Sequence, residues 1–195
     1  MAIVTCVTYV VMVDAQRRII EYEALKVAEV VARQSLAARS VYSSQVVEKL
    51  RRDGYGASVQ SDELPGHVPL PAQFLKLVGQ ESSARSGGLF ASRPISRWNL
   101  ESTQGLSDDF LRWGWGQLSR QDRDDPQGPI DWQPVWRFES VNGITTLRYL
   151  RADPASGAGC VTCHNAYERS PEIQARRVAD GVTVGKQWKQ HQLLG

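Results

Sequence analysis

The run Val135-Trp136-Arg137-Phe138-Glu139-Ser140-Val141-Asn142-Gly143-Ile144-Thr145-Thr146-Leu147-Arg148-Tyr149-Leu150 decides the fold class. Asn and Gly tolerate the left-handed backbone of a tight two-residue turn, and the flanking residues are largely β-branched or aromatic, so the stretch reads as a β-hairpin. A turn at Asn142-Gly143 pairs Val141 with Ile144, Phe138 with Leu147 and Trp136 with Tyr149. Because strand side chains alternate, Trp136, Phe138, Leu147 and Tyr149 share one apolar face. The same register sets Arg137 opposite Arg148. That pair of like charges is explained either by an anion between them or by a carboxylate such as Glu139 beside them.

Upstream, residues 19–52 contain neither Gly nor Pro, and apolar side chains recur at Ile20, Ala24, Val27, Val31, Ala38, Val41, Val46 and Leu50. This is helical spacing and predicts one long amphipathic helix, or two in series, ending at Asp53-Gly54. Pro71 suits the first turn of a short helix over 72–80. Gly87-Gly88 leads to an expected strand at 89–92. Residues 106–121 read as a helix with Phe110, Trp113 and Leu118 inward, although Gly114 and Gly116 interrupt the pattern. Helices with a hairpin in one chain give an α+β fold.

The chain has 195 residues, with 23 basic and 21 acidic side chains and a formal charge of +2. Binding driven by phosphate neutralisation needs a strongly basic balance, so no nucleic-acid partner is expected. With 42% apolar residues the chain can bury a core, and its length suits one domain with an appended segment. Three cysteines, Cys6, Cys160 and Cys163, are too few and too odd for a disulfide scaffold, so any cysteine chemistry is local.

No charged side chain occurs in residues 1–13, and the run is rich in Val, Ile, Thr and Tyr. Twelve helical residues cover about 18 Å, short of the roughly 30 Å hydrocarbon core. We therefore expect residues 1–18 to be part of a membrane anchor, with residues 19–195 as the domain. The alternative is a buried N-terminal strand or helix. Asp14 would cap the following helix if the two were separate. At the other end, the apolar run at Leu193-Leu194 reads as the opening of a strand.

Cys160-Val161-Thr162-Cys163-His164 matches Cys-x-x-Cys-His, the attachment sequence of a c-type haem. Thiols three residues apart lie on one side of a helical turn, where each can form a thioether with a haem vinyl group. The adjacent histidine can then bind iron as the proximal ligand. A redox-active dithiol would need a βαβ setting, whereas Asp153 to Gly159 is loop-like; a zinc site would need four ligands, and only Cys6, His67 and His191 remain. Thioether formation in bacteria takes place outside the cytoplasmic membrane, so the expected location is the periplasmic side, membrane-anchored.

With these residues in hand, the chain resembles the c-haem-binding, PAS-like domains found free-standing in cyanobacteria and as periplasmic sensor regions of histidine kinases and chemoreceptors. The resemblance covers about residues 24–195. It rests on the long helix, on Val68-Pro69-Leu70-Pro71-Ala72-Gln73-Phe74, on Phe90-Ala91-Ser92-Arg93-Pro94 leading to Asp108-Asp109-Phe110, on Leu147-Arg148-Tyr149, and on residues 160–165 with Ser170-Pro171 after them. It implies a PAS-like antiparallel sheet, a long N-terminal helix packed beside it and one haem c between them, with redox or ligand sensing as the activity and no catalytic residue. Some members resemble thiolate-ligated cytochromes with a cysteine on the long helix; this chain has Ser40, Ser43 and Ser44 there.

For the distal side of the iron, His67, His191, Tyr42 and an open position are the alternatives. Trp136, Phe138 and Tyr149 are candidates for the haem wall, and Arg148 with Arg137 for a haem propionate, against plain packing and ion pairing with Glu139. The expected function is that of an extracytoplasmic monohaem cytochrome carrying out one-electron redox chemistry, as a subunit of a membrane complex or as a redox sensor. The alternative is a gas- or ligand-sensing input domain of a signalling receptor.

Overall fold

The computed structural model describes residues 2–182 and 185–195, with side chains from Val4 onward. Helix α1 spans Ala2–Tyr42 and continues through a π-helical turn, Ser43–Val47, into α2, Glu48–Arg52. The absence of Gly and Pro allows this length, and ion pairs one turn apart, such as Arg17–Glu21 and Arg33–Glu29, lace its surface. The helix does not restart at Asp14. That carboxylate lies inside α1 and accepts from Arg18 Nε at 2.8 Å, so it is not a cap. Val7, Val10, Val11 and Met12 are exposed, and among the described residues no helix is long and apolar enough to cross a membrane.

Two short strands, β1 (Gly56–Ser58) and β2 (His67–Pro69), pair in parallel. Helix α3, Pro71–Arg85, starts at the expected proline and runs beyond residue 80. The expected strand at 89–92 does not form. The chain there packs instead on α3, where a Cβ on Gly79 would lie 2.0 Å from Ser92 O, so glycine is what permits the approach. Helix α4, Asp109–Ser119, is shorter than expected and is capped by Asp108, whose side chain accepts from Leu111 N. Its buried stripe is Phe110, Leu111, Gly114, Trp115 and Leu118; Trp113 points outward and is 39% exposed. Gly114 is the point where the hairpin comes closest, since a Cβ there would sit 2.4 Å from Leu150 Cδ1.

The hairpin forms in the expected register: β3 (Val135–Val141) pairs antiparallel with β4 (Ile144–Leu150), with Trp136 opposite Tyr149 and Arg137 opposite Arg148. Asn142 (φ 52°) and Gly143 (φ 79°) both take the left-handed conformation that the turn requires. The face that meets the core is the other one, carrying Val135 and Leu150. Trp136 is 45% exposed. Among the described residues the sheets are therefore one parallel pair and one antiparallel hairpin.

Helices α5 (Ala158–Glu168) and α6 (Pro171–Ala179) follow. The last residues do not open a separate strand. Leu193 bridges Pro154, and His191 N donates to Ala155 O at 2.8 Å, while Asp153 N donates to Gly195 O at 2.7 Å. Leu193 and Leu194 are thereby buried. The main core gathers Ile95, Phe110, Leu111, Trp115, Leu118, Trp132, Ala152 and Leu193. A second cluster, Ala155, Trp188 and Leu194, touches Cys160 and Val161 and shares Trp98 with the first.

Candidate functional site

Helix α5 begins after the extended Gly157, and its first turns carry Cys160, Cys163 and His164. All three face one cavity of about 330 Å³. A second wall is the segment from Arg39 to Arg51, which contributes Ser40, Ser43, Ser44, Val47 and Glu48. The π-helical turn falls within that wall; such turns shift side chains off the regular helical stripe and recur at functional sites. A third side comes from the start of α3, where Leu70 to Gln73 line the space, and a fourth from Ile95, Trp98 and Leu194. The size suits a small-molecule site, which commonly occupies about 300–1,000 Å³.

Both cysteines of α5 are free thiols. Burial pushes the Cys163 thiol up, and the charge and hydrogen bond of Arg51 pull the other way. His164 is lowered to about 4, first by burial and then by the charges of Arg39 and Arg177. It is therefore neutral near neutral pH, with a lone pair free for a metal. Its Nδ1 is buried and has no hydrogen-bond partner, a costly condition unless something besides the protein meets the ring.

Residues remote in sequence hold this ring. Trp188 stands edge-on to it at 5.6 Å. Asn165 fixes Trp188 by a reciprocal clasp, accepting from Trp188 N at 2.7 Å and donating to Trp188 O at 3.2 Å. Behind it, the Arg177–Glu168 ion pair at 2.6 Å is almost wholly buried, and Arg177 also donates to the carbonyls of Trp98 and Asn99, both at 3.0 Å. A buried charge satisfied in this way fixes α5, α6 and the 98–99 backbone to one another. Trp188, Glu168 and Arg177 carry no local motif, so the sequence offered no sign of their role, while Asn165 closes the 160–165 stretch without its clasp on Trp188 being legible there.

The other candidates lie outside the cavity lining. Tyr42 stacks on Phe74 with ring centres 4.2 Å apart and donates to Pro69 O at 2.9 Å, which makes it a fastener between α1 and α3. His67 bonds through Nδ1 to Pro65 O at 3.2 Å. His191 has a left-handed backbone in the terminal turn. Trp136 and Phe138 pack edge to face at 6.1 Å on the hairpin, and Tyr149 is their neighbour on that face. Arg137 and Arg148 are reconciled by Glu139, which binds one at each oxygen (2.8 and 2.9 Å), while Arg148 also bonds Asp108 at 2.9 Å. Their guanidinium groups cover the Phe110 ring. The ion pairing with Glu139 that was one alternative for this pair is thus present.

Fold and cavity together define an α+β domain with two thiols and a neutral imidazole on one wall of an internal space. The chain belongs to the Tll0287-like family, whose model matches residues 16–195. No curated protein and no solved structure matched it.

Proposed function

We propose that the cavity is the seat of one covalent haem c. The observation that carries this is the convergence of Cys160, Cys163 and His164 on a single cavity, with the histidine neutral and its Nδ1 unpartnered. The donor set fits the group: two thiols on one face of a helix, an imidazole beside them, and apolar walls from Val47, Leu70, Ile95, Trp98 and Leu194. The resemblance noted from the sequence points the same way, and with it a PAS-like description of the α+β fold. Each thiol would add across a vinyl double bond, its sulfur bonding to one carbon and its proton going to the other, without net oxidation or reduction. His164 would hold the iron, and Trp188, fixed by Asn165, keeps the imidazole in place. The bound group supplies one-electron redox chemistry.

On this reading the domain works on the periplasmic side of the membrane, held there by residues 1–18 and meeting a membrane complex or a signalling receptor. The exposed apolar residues of early α1 support the anchor. A haem-stained denaturing gel of the full chain, exported in a host with haem c maturation machinery, tests the attachment. The wild type should stain and a Cys160→Ala/Cys163→Ala variant should not; an unstained wild type would overturn the reading.

One observation favours the ligand-sensing alternative over plain electron transfer. Among the described residues, the cavity lining contains no Cys or His besides Cys160, Cys163 and His164, and no Met; the wall from Arg39 to Arg51 offers Ser40, Ser43 and Ser44. Hydroxyls are weak iron ligands, and a distal position facing these serines would be open to a small molecule. Carbon monoxide added to the reduced protein should shift its Soret band, and an unmoved band would favour a second strong ligand.

A further inference from the structure

Arg39 is a buried cation whose bonding capacity is only partly used. It is 8% exposed and lines the cavity. One of its terminal nitrogens, Nη2, meets Asp153 Oδ1 at 2.5 Å and donates to Pro154 O at 3.2 Å. Its Nε is buried without a partner, and Asp153 Oδ1 lacks a well-aligned hydrogen bond. A guanidinium taken out of water at this cost is normally satisfied on every side, and its planar fork matches a carboxylate. The geometry points to Arg39 as the residue that receives a carboxylate arm of the bound porphyrin, an inference that rests on the haem reading above.

The position of the thiols sets the direction. Glu48 Oε2 lies 3.8 Å from where a Cβ on Gly159 would stand, and Arg51 lines the cavity beside Cys163 and acts on its thiol, so the start of α5 lies beside α2. Arg39 comes nine residues before Glu48 on the same helical rod, about 14 Å away at 1.5 Å per residue. In a haem the vinyl groups and the carboxylate arms occupy opposite edges of the ring. Fixing the vinyl edge at Cys160 and Cys163, beside Arg51, would leave Arg39 as the lining cation free to meet the arms. Arg51 is thus the cation at the thioether end, while Arg137 and Arg148 are held outside the cavity by Glu139 and Asp108.

The test uses the full, haem-loaded chain and resonance Raman spectroscopy, in which the bending band of the carboxylate arms reports their hydrogen bonding. Arg39→Gln should move that band to lower frequency and lower the midpoint potential, because a lost positive charge favours oxidised iron; Arg39→Lys should keep the potential near that of the wild type. A band at the wild-type position in haem-loaded Arg39→Gln would overturn the inference while leaving the haem reading intact. If Arg39→Gln fails to load, Asp153→Asn replaces it. By freeing Arg39 that variant should move the band the opposite way, and an unmoved band again overturns the assignment. A wild type without covalent haem would sink the haem reading itself.

Discussion

At the scale of single residues, the sequence is most legible where chemistry depends on spacing along the chain. Cys160, Cys163 and His164 are close neighbours in sequence, so one helical turn is enough to bring them to one wall. Arg39 and Trp188 reach the same site only through tertiary packing, and no local pattern marks them. Arg148 drew attention because cross-strand register made its charge conspicuous, and that same register supplied Glu139 to answer it. Asp153 offers a test at this scale. Burial lifts its carboxyl from 3.8 to about 6 against the pull of Arg39. A carboxyl harder to ionise in the folded than in the unfolded chain stabilises the fold while protonated; that contribution is lost as pH rises from near 4 through about 6 and stays lost above. In the haem-free chain, Asp153→Asn should therefore lose less thermal stability than the wild type between about pH 4 and about pH 7. Equal losses in the two proteins would contradict this.

At the scale of elements, periodicity gave the long helix and the turn residues gave the hairpin with its register. Both signals are local. The π-helical turn at Ser43–Val47 leaves no such mark, because it is one extra residue accommodated by packing against the cavity. The expected strand at 89–92 failed for a related reason: apolar character favours extension, but pairing needs a neighbour, and the neighbour here is the bare backbone of α3 at Gly79. Helix α4 shows the reverse, since the glycine that seemed to interrupt it is the one that admits Leu150. Substituting Gly79→Ala should cost about 1–3 kcal/mol through overpacking against Ser92, in spite of the roughly 1 kcal/mol that helix propensity returns. Gly116→Ala is the control, because its Cβ would meet only Arg120 Nη1 at 3.9 Å. Urea denaturation should show the first variant destabilised and the second neutral or slightly stabilised.

At the scale of the whole molecule, the α+β class expected from the helices and the hairpin is what forms, with a cavity lined by α1, α2, the start of α3, residues 94–104 and α5. The composition could not show where that cavity would open, because its walls come from segments more than a hundred residues apart. The long rod of α1 extends beyond this cavity with its apolar side chains exposed, and this exposure supports the proposed membrane anchor. The claim on which the rest depends is that the cavity binds haem through two thioethers. A pyridine haemochrome spectrum of the full chain, exported to a haem-c-maturing periplasm and then denatured, tests it most directly. The account predicts the haemochrome band of a haem whose vinyl groups are both saturated, retained after acid–acetone extraction; a colourless protein, or haem that extracts freely, would contradict it.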